Sequence, residues 1–255
     1  MCDERLFHAL SDAVTHSLDA SEPIMPTLPP PWLGLAAAGA MSNPIRIEMV
    51  ADIVCPYCYI GLMRLQRAIA SSTTPTNVQV TFTPFILRRH LPKEGIPKEE
   101  VFRQQYGSDA HGAQVLAQVC ATAADDGMEF NLTGQRAGNS EDAHRLLLWA
   151  GPRVLPLFES MGKAYNEEQF WLGDHANLMA AVRRTSGLDV DEAAAVLADP
   201  SAYADELDAG LRRAHELGVT GVPAFFVNGA LLGTGALSEG ALRSVIEQIC
   251  AMSAE

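Results

Sequence analysis

The spacing of apolar residues predicts a strand, a helix and a second strand in the first folded part of the chain. Residues 45–54 form a nearly continuous apolar run, which is typical of a buried strand. Apolar positions then follow the helical period through residue 69, until residues 71–75 end the pattern with Ser, Thr and Pro. Residues 78–86 alternate and are rich in β-branched and aromatic side chains. This order predicts a β-α-β unit that begins at Ile45.

The rest of the chain changes from a helical pattern back to strands. Residues 97–218 are helical almost throughout, with predicted helices at 109–125, 174–186, 189–198 and 203–217 and one that Asn139 and Ser140 cap. Residues 224–227 and 230–232 predict two strands joined by a tight Asn-Gly turn, and a final helix follows. The order is β-α-β, a helical block, then β-β-α. It predicts the α/β class and a thioredoxin fold with a large all-helical insertion.

This order of elements divides the chain into three parts. Residues 45–96 and 219–255 are predicted to form the thioredoxin-fold domain, and residues 97–218 the helical insertion domain. Residues 1–44 are acidic and then proline-dense, which predicts a disordered N-terminal extension or a start site assigned too early. Met41 is an alternative start.

Cys55 and Cys58 are the candidate chemical centre, because they stand where the first strand gives way to a helix. The first turn of a helix directs unpaired N–H groups and the positive end of its dipole at a sulfur placed there. That arrangement lowers a thiol pKa and favours the thiolate, which is the nucleophile. Pro56 suits the first helical position, where an N–H would have no partner.

The alternative interpretation of this pair is half of a zinc site. Such a site needs two further ligands at short spacing. The other three of the five cysteines stand alone, and the seven histidines form no close ligand pair with one another. The sequence therefore favours a redox dithiol and predicts no metal.

Composition limits the partners. The net charge of −13 and the scattered basic residues argue against nucleic acid. No apolar run approaches the ~20 residues that span a bilayer, so no membrane association is predicted. One close pair among five cysteines does not make a disulfide framework and suits a cytoplasmic protein.

Four motifs resemble those of the DsbA-like thioredoxin-domain proteins of the FrnE type. These proteins are related to 2-hydroxychromene-2-carboxylate isomerase and kappa-class glutathione transferase. The motifs are D-x-x-C-P-Y-C at 52–58, F-x-P-F at 82–85 with L-P-x-x-G at 91–95, N-S-x-x-A-H-R-L at 139–146, and G-V-T-G-V-P at 218–223. The resemblance covers residues 45–249. One departure is Ala224, which stands between the proline and the aromatic pair that commonly follows it directly.

The resemblance implies that Pro223 faces the dithiol with a cis Val222–Pro223 bond, leaving the backbone of Val222 free to pair with a disulfide substrate. An ordinary trans proline that opens an edge strand is the alternative for this motif taken alone. Cys55 is then the exposed nucleophile and Cys58 the resolving thiol, with Tyr57 lining the substrate surface. Cys120 and Cys250 are predicted to be buried and inert.

Several polar residues have open roles at this point. Asp52 either holds the strand-to-helix turn or accepts a proton from Cys58, and Glu48 is the alternative proton acceptor. In glutathione-handling relatives the segment with Asn139, His144 and Arg145 borders the active-site cleft, which implies substrate contact. A helix cap at Asn139 and a structural His144 are the alternatives.

The sequence thus predicts a thiol–disulfide oxidoreductase that exchanges with protein or glutathione disulfides. No permanently bound cofactor is expected, glutathione is the candidate co-substrate, and the protein is expected to be a monomer or a homodimer. A glutathione-dependent isomerase or transferase is the alternative. In those relatives a serine typically takes the first position of the motif, whereas this chain has Cys55.

We predict that residues 1–41 are dispensable, because the complete β-α-β unit begins only at Ile45. A chain that starts at Met41 should unfold at the same urea concentration as the full chain and reduce disulfides at the same rate. Failure of the shorter chain to fold, or loss of its reductase activity, would contradict the prediction.

Overall fold

The computed structural model describes residues 44–73 and 77–253, and the side chains of those residues up to 251. The predicted N-terminal extension lies outside the described residues, apart from Pro44. Within the described ranges, no helix is both long and apolar enough to cross a membrane.

The described chain contains nine α-helices and six strands, and the order β-α-β, helical block, β-β-α agrees with the sequence pattern apart from two short strands within the block. The elements are β1 Ile45–Ala51, α1 Pro56–Ala70, β2 Val78–Pro84, β3 Ile96–Pro97, α2 Lys98–Tyr106, α3 Asp109–Asp125, β4 Arg136–Ala137, α4 Glu141–Trp149, the 3-10 turn Gly151–Arg153, α5 Val154–Asn166, α6 His175–Arg184, α7 Val190–Ala198, α8 Ala204–Glu216, β5 Ala224–Val227, β6 Ala230–Thr234 and α9 Glu239–Ser253.

Four strands form the central sheet in the order β2-β1-β5-β6. The β1 and β2 strands are parallel, with Ile45 opposite Val78 and Ala51 opposite Pro84. The β5 strand runs antiparallel to β1 and to β6. A parallel pair needs a crossover connection, which α1 supplies. The predicted α/β class, with a thioredoxin fold that contains a helical insertion, is confirmed.

Both predicted strands of the first unit end earlier than the apolar pattern suggests. Residues 52–54 form a turn, in which Cys55 N donates to Asp52 O at 3.1 Å and Val54 N donates to Asp52 Oδ1 at 3.3 Å. The buried turn keeps the apolar pattern of a strand because Ile53 and Val54 still face the core. Strand β2 likewise ends at Pro84.

The helical block and the sheet share one continuous apolar core. Its buried residues include Ile47 from β1, Leu62 from α1, and Leu146, Phe158 and Leu178 from α4, α5 and α6. The block also contains a two-stranded ribbon of β3 and β4, which the sequence pattern did not predict. Two residues per strand are too few to leave a period-two pattern. The division of the chain into two domains stays a prediction.

Helix α8 lies close to β2 at a glycine. A Cβ built at Gly210 would lie 2.4 Å from Pro84 Cγ and 2.6 Å from Pro84 Cδ. Real Cβ atoms essentially never come this close to other atoms. The Pro84 ring is closed onto its own backbone nitrogen, so it cannot turn aside as a flexible side chain would. Gly210 therefore sets the distance between α8 and the sheet.

We predict that Gly210→Ala lowers the free energy of unfolding by about 1–3 kcal/mol, because the added methyl forces the helix away from Pro84. Urea unfolding followed by circular dichroism measures the change. Gly240→Ala in α9 is the matched control, since no atom lies within 4 Å of the position that its methyl group would take. That variant should be as stable as the parent or up to about 1 kcal/mol more stable. Equal midpoints for the parent and Gly210→Ala would contradict the packing argument.

Candidate active site

Cys55 lies at the N-terminus of α1 and Cys58 lies one turn further in. Cys55 has extended backbone angles and precedes Pro56, which takes the first helical position. The backbone N–H of Cys58 donates to Cys55 O at 3.0 Å. Cys55 is 7% exposed and Cys58 is 0% exposed. Cys55 is therefore the more accessible thiol, although it is less exposed than the sequence led us to expect.

The backbone before Pro223 faces the Cys55 sulfur. The Val222–Pro223 peptide bond is cis. The Cys55 thiol donates to the carbonyl oxygen of Val222, with 3.7 Å between Sγ and O, although the two residues are 167 positions apart. A Cβ at Gly61 in α1 would lie 3.2 Å from Pro223 Cγ, so the proline packs against the helix that carries the dithiol. The fold thus brings both sequence motifs to one place.

The two thiols have opposite proton affinities. The Cys58 thiol donates a hydrogen bond to the Cys55 sulfur and is the main cause of the lowered Cys55 pKa. The N–H groups of Cys58 and Tyr57 add to the effect, while burial and the Asp52 charge oppose it. Burial raises the pKa of Cys58 well above its usual range, and the Cys55 charge raises it further. This asymmetry favours the thiolate form of Cys55 and keeps Cys58 protonated.

Asp52 is a fully buried carboxylate that joins three segments of the chain. Its Oδ1 accepts hydrogen bonds from Val54 N at 3.3 Å and from Ser140 Oγ at 2.9 Å. His144 Nε2 lies 3.1 Å from the same oxygen, and Leu87 N donates to Oδ2 at 2.8 Å. These contacts support the turn-holding role of Asp52. The hydroxyl of Ser140 is a partner that sequence reasoning missed, because it comes from a residue 88 positions away.

The three residues proposed for substrate contact have internal partners instead. Asn139 Oδ1 accepts from Glu141 N at 2.8 Å and so caps α4. His144 is 0% exposed, contacts Asp52 and stacks on Phe82. These contacts support the alternatives of a helix cap at Asn139 and a structural His144, and substrate contact by either residue stays a prediction.

Arg145 also has internal partners, and substrate contact by this residue likewise stays a prediction. Its Nη1 donates to the carbonyl oxygens of Val196, Asp199 and Ala202 at 2.8 to 2.9 Å, which fixes the segment after α7. Its Nη2 donates to Asp142 at 3.0 Å, and the guanidinium is nearly buried. These hydrogen bonds use N–H groups of the Arg145 guanidinium that a substrate contact would need.

Glu48, the alternative proton acceptor, is occupied elsewhere. Its Oε1 accepts from Thr83 Oγ1 at 2.7 Å, and its Oε2 pairs with Arg213 at 3.1 Å. Both partners tie β1 to β2 and α8. The contacts of Glu48 thus give it a structural role.

The Cys55 charge acts on three tyrosine rings, of which sequence reasoning identified only Tyr57. The Cys55 charge raises the pKa values of Tyr57, Tyr106 and Tyr165, which places these rings within its electrostatic reach. Burial is the largest cause of the raised pKa at each of the three. Tyr57 and Tyr106 are half-buried and therefore available to a substrate. No local pattern distinguishes such rings from ordinary packing residues.

Lys98 is a buried amine beside this group. It is 2% exposed, hydrogen-bonds to Gln135 Oε1 and lies 4.8 Å from the centre of the Tyr165 ring. Burial lowers its pKa to about 7, and the nearby Arg88 charge contributes, whereas the Cys55 charge acts in the opposite direction. Within the described residues no carboxylate forms an ion pair with Lys98.

Other groups do not add to the dithiol site. A cavity of about 690 Å³ is lined by α2, α3 and residues 132–133, and none of the dithiol or proline-loop residues lines it. Cys120 and Cys250 are partly exposed, so the expectation that both are buried is wrong. Across the described ranges, no group of three or more His, Cys, Asp or Glu side chains could hold a metal ion.

Comparison with known proteins identifies the family. A model of the DSBA-like thioredoxin domain matches residues 46–247. The chain is 31% identical to a probable DsbA oxidoreductase from Streptomyces coelicolor, with 81% of this chain and 90% of that one covered and a TM-score of 0.75. No curated protein matches the chain significantly. The chain belongs to the DsbA-like thioredoxin domain family.

Two further solved structures share the fold. A 2-hydroxychromene-2-carboxylate isomerase is 15% identical, with 82% and 98% of the two chains covered and a TM-score of 0.62. The cytosolic disulfide reductase DsbM from Pseudomonas aeruginosa is 16% identical, with 82% and 95% covered and a TM-score of 0.52. At these identities the likeness concerns the fold alone.

We predict that Cys58→Ala raises the pKa of Cys55, because it removes the hydrogen bond that contributes most to lowering it. The pH at which iodoacetamide alkylates Cys55 at half its maximal rate, followed by peptide mass spectrometry, should move upward. Cys58→Ser keeps a donor and should move it less, and Cys250→Ala should leave it unchanged. An unchanged profile in Cys58→Ala would show that the helix terminus alone sets the Cys55 pKa.

Proposed function

We propose that the protein is a thiol–disulfide oxidoreductase that exchanges its Cys55–Cys58 dithiol with protein or glutathione disulfides. The observation that carries this proposal is the pair of opposed thiols beside the Val222 carbonyl. Cys55 has a lowered pKa and Cys58 a strongly raised one. Two-step exchange requires a thiolate that attacks the substrate disulfide and a protonated thiol that later attacks the mixed disulfide.

The reaction follows from this asymmetry. The Cys55 thiolate attacks one sulfur of the substrate disulfide, and the other sulfur leaves as a thiolate that takes up the proton that Cys55 has released. A mixed disulfide now joins Cys55 to the substrate. Cys58 then loses its proton and attacks the Cys55 sulfur, the Cys55–Cys58 disulfide forms, and the second substrate thiolate leaves and takes up that proton. Two thiols of the protein are oxidised and one substrate disulfide is reduced.

The neutralisation of Cys55 drives the second step. Once Cys55 is part of the mixed disulfide its charge is gone, and that charge is one of the causes of the raised Cys58 pKa. Cys58 is therefore easier to deprotonate at the moment when it must attack. Its hydrogen bond to the Cys55 sulfur keeps it within reach.

The finer assignment also belongs to this proposal. We place the protein with the FrnE-type members on the four motifs quoted above, with glutathione as a candidate co-substrate and no permanently bound cofactor. A reducing compartment, the cytoplasm, suits a chain whose five cysteines contain a single close pair. The monomer or homodimer assignment rests on the same resemblance.

The proposal is tested by trapping the mixed disulfide. With insulin as the substrate and dithiothreitol as the reductant, Cys55→Ser should lose at least about a hundredfold in initial rate, because the nucleophile is gone. In a separate experiment, Cys58→Ser that has been reduced and then freed of dithiothreitol should accumulate insulin chains bound to Cys55, since no thiol is left to resolve the intermediate. Cys120→Ser, which removes a thiol outside the dithiol, is the matched control and should keep the parent rate.

Two results would count against the proposal. Reductase activity that survives Cys55→Ser would mean that another group performs the exchange. A parent protein that reduces no disulfide but isomerises or conjugates glutathione-dependent substrates would favour the isomerase or transferase alternative.

A further inference from the structure

Arg88 is tied to the turn that carries Cys55. The preceding residue, Leu87, donates its N–H to Asp52 Oδ2 at 2.8 Å. The carbonyl of Asp52 in turn accepts the N–H of Cys55 at 3.1 Å. The same aspartate therefore fixes both the backbone that bears Arg88 and the backbone that bears the nucleophile.

Arg88 has no acidic partner within the described residues. Its Nη2 donates to the neutral Gln105 Oε1 at 3.3 Å, and its guanidinium carbon lies 6.0 Å from the centre of the Phe102 ring. The neighbouring Arg89 differs, because it pairs with Glu141 at 3.0 Å and Asp208 at 3.2 Å. Arg88 is half-buried, so its charge is partly desolvated without a carboxylate to compensate it.

Arg88 and Cys55 act on the same side chains. The charge of Arg88 lowers the pKa values of Lys98, Tyr106 and Tyr165, and the Cys55 charge raises all three. The two charges thus act in opposite directions on the same three side chains. Lys98 also lacks a carboxylate partner among the described residues.

The surroundings leave the guanidinium open to a ligand. Arg88 is half-buried, so part of the residue still faces solvent. Phe102 packs against the Tyr106 ring, with 5.5 Å between the two ring centres, and Gln105 contacts the Tyr106 hydroxyl. These contacts hold Arg88 beside Tyr106, the half-buried tyrosine whose pKa is raised by burial and by the Cys55 charge. A partly desolvated, preordered guanidinium is a strong binder of carboxylates.

We propose that Arg88 is a specificity-determining residue that binds a negatively charged group beside the substrate disulfide. The inference rests on the proposed exchange reaction and names the substrates that it favours: disulfides with a carboxylate within a side chain's length of the sulfurs. The net charge of −13 repels such substrates from the protein as a whole. A local cation near Cys55 offsets that repulsion where the substrate must dock.

Three small disulfides of different charge test this role. The reduced protein, in which Cys2, Cys120 and Cys250 are replaced by serine so that only the dithiol reacts, is mixed with dithiobis(nitrobenzoate), which carries carboxylates, with the neutral dithiodipyridine, and with the cationic cystamine. Arg88→Gln should lower the second-order rate constant for the anionic reagent about tenfold relative to the neutral one, the size expected for a hydrogen bond to a charged group. Arg88→Lys should keep part of the preference, and Arg88→Glu should favour cystamine.

Arg89→Gln is the matched control, since it removes the same charge from the adjacent residue. The ratio between reagents cancels any change in the Cys55 pKa, because that change affects all three rates alike. Equal ratios in Arg88→Gln and the parent, or the same change in Arg89→Gln, would overturn the inference while the exchange reaction stands. A parent that reacts with none of the reagents would instead overturn the proposed function.

Discussion

The buried carboxylate of Asp52 is the interaction on which the geometry of the site depends. It accepts hydrogen bonds from the turn after β1 and from the loop after β2, and it contacts Ser140 and His144 at the start of α4. A buried carboxylate is costly unless donors surround it, so these segments are held at one place. Asp52 thus fixes the turn before Cys55, the loop with Arg88 and the start of α4 relative to one another.

Two consequences follow for the thiols. Helix α1 presents its first N–H groups to Cys55, and the Cys58 thiol adds the hydrogen bond that matters most. The Asp52 charge opposes thiolate formation at both sulfurs, so the lowered Cys55 pKa is achieved against it. Asp52 thus fixes the geometry of the site although its charge disfavours both thiolates. The local hydrogen-bond donors outweigh that charge and burial at Cys55, whereas burial dominates at Cys58.

The sequence predicted most of the fold because burial on one face leaves a period in the chain. Strands β1 and β2, helix α3 and the hairpin after Pro223 all carry such a pattern. The end of β1 was placed three residues too late, since the turn at Asp52 is as apolar as a strand. The β3 and β4 ribbon is too short to show a period.

The site was only partly predictable for a related reason. Cys55 and Cys58 are recognisable by residue type and local spacing, whereas Pro223 is recognisable only through the resemblance of its motif to those of the family. The roles of Ser140, Arg88 and Tyr106 depend on contacts between segments far apart in the chain, which leave no local signal. Arg145 is instructive: its motif suggested a substrate contact, yet its guanidinium is used to hold three backbone carbonyls.

The central claim is that Cys55 and Cys58 act as one redox couple, and equilibration in glutathione buffers of graded potential tests it most directly. Peptide mapping after acid quenching should show a single two-electron transition, with loss of two hydrogen atoms and a disulfide that joins Cys55 to Cys58. Cys120 and Cys250 should stay outside that disulfide at every potential. A disulfide between other cysteines, or glutathione retained on Cys55 with Cys58 still reduced, would contradict the account.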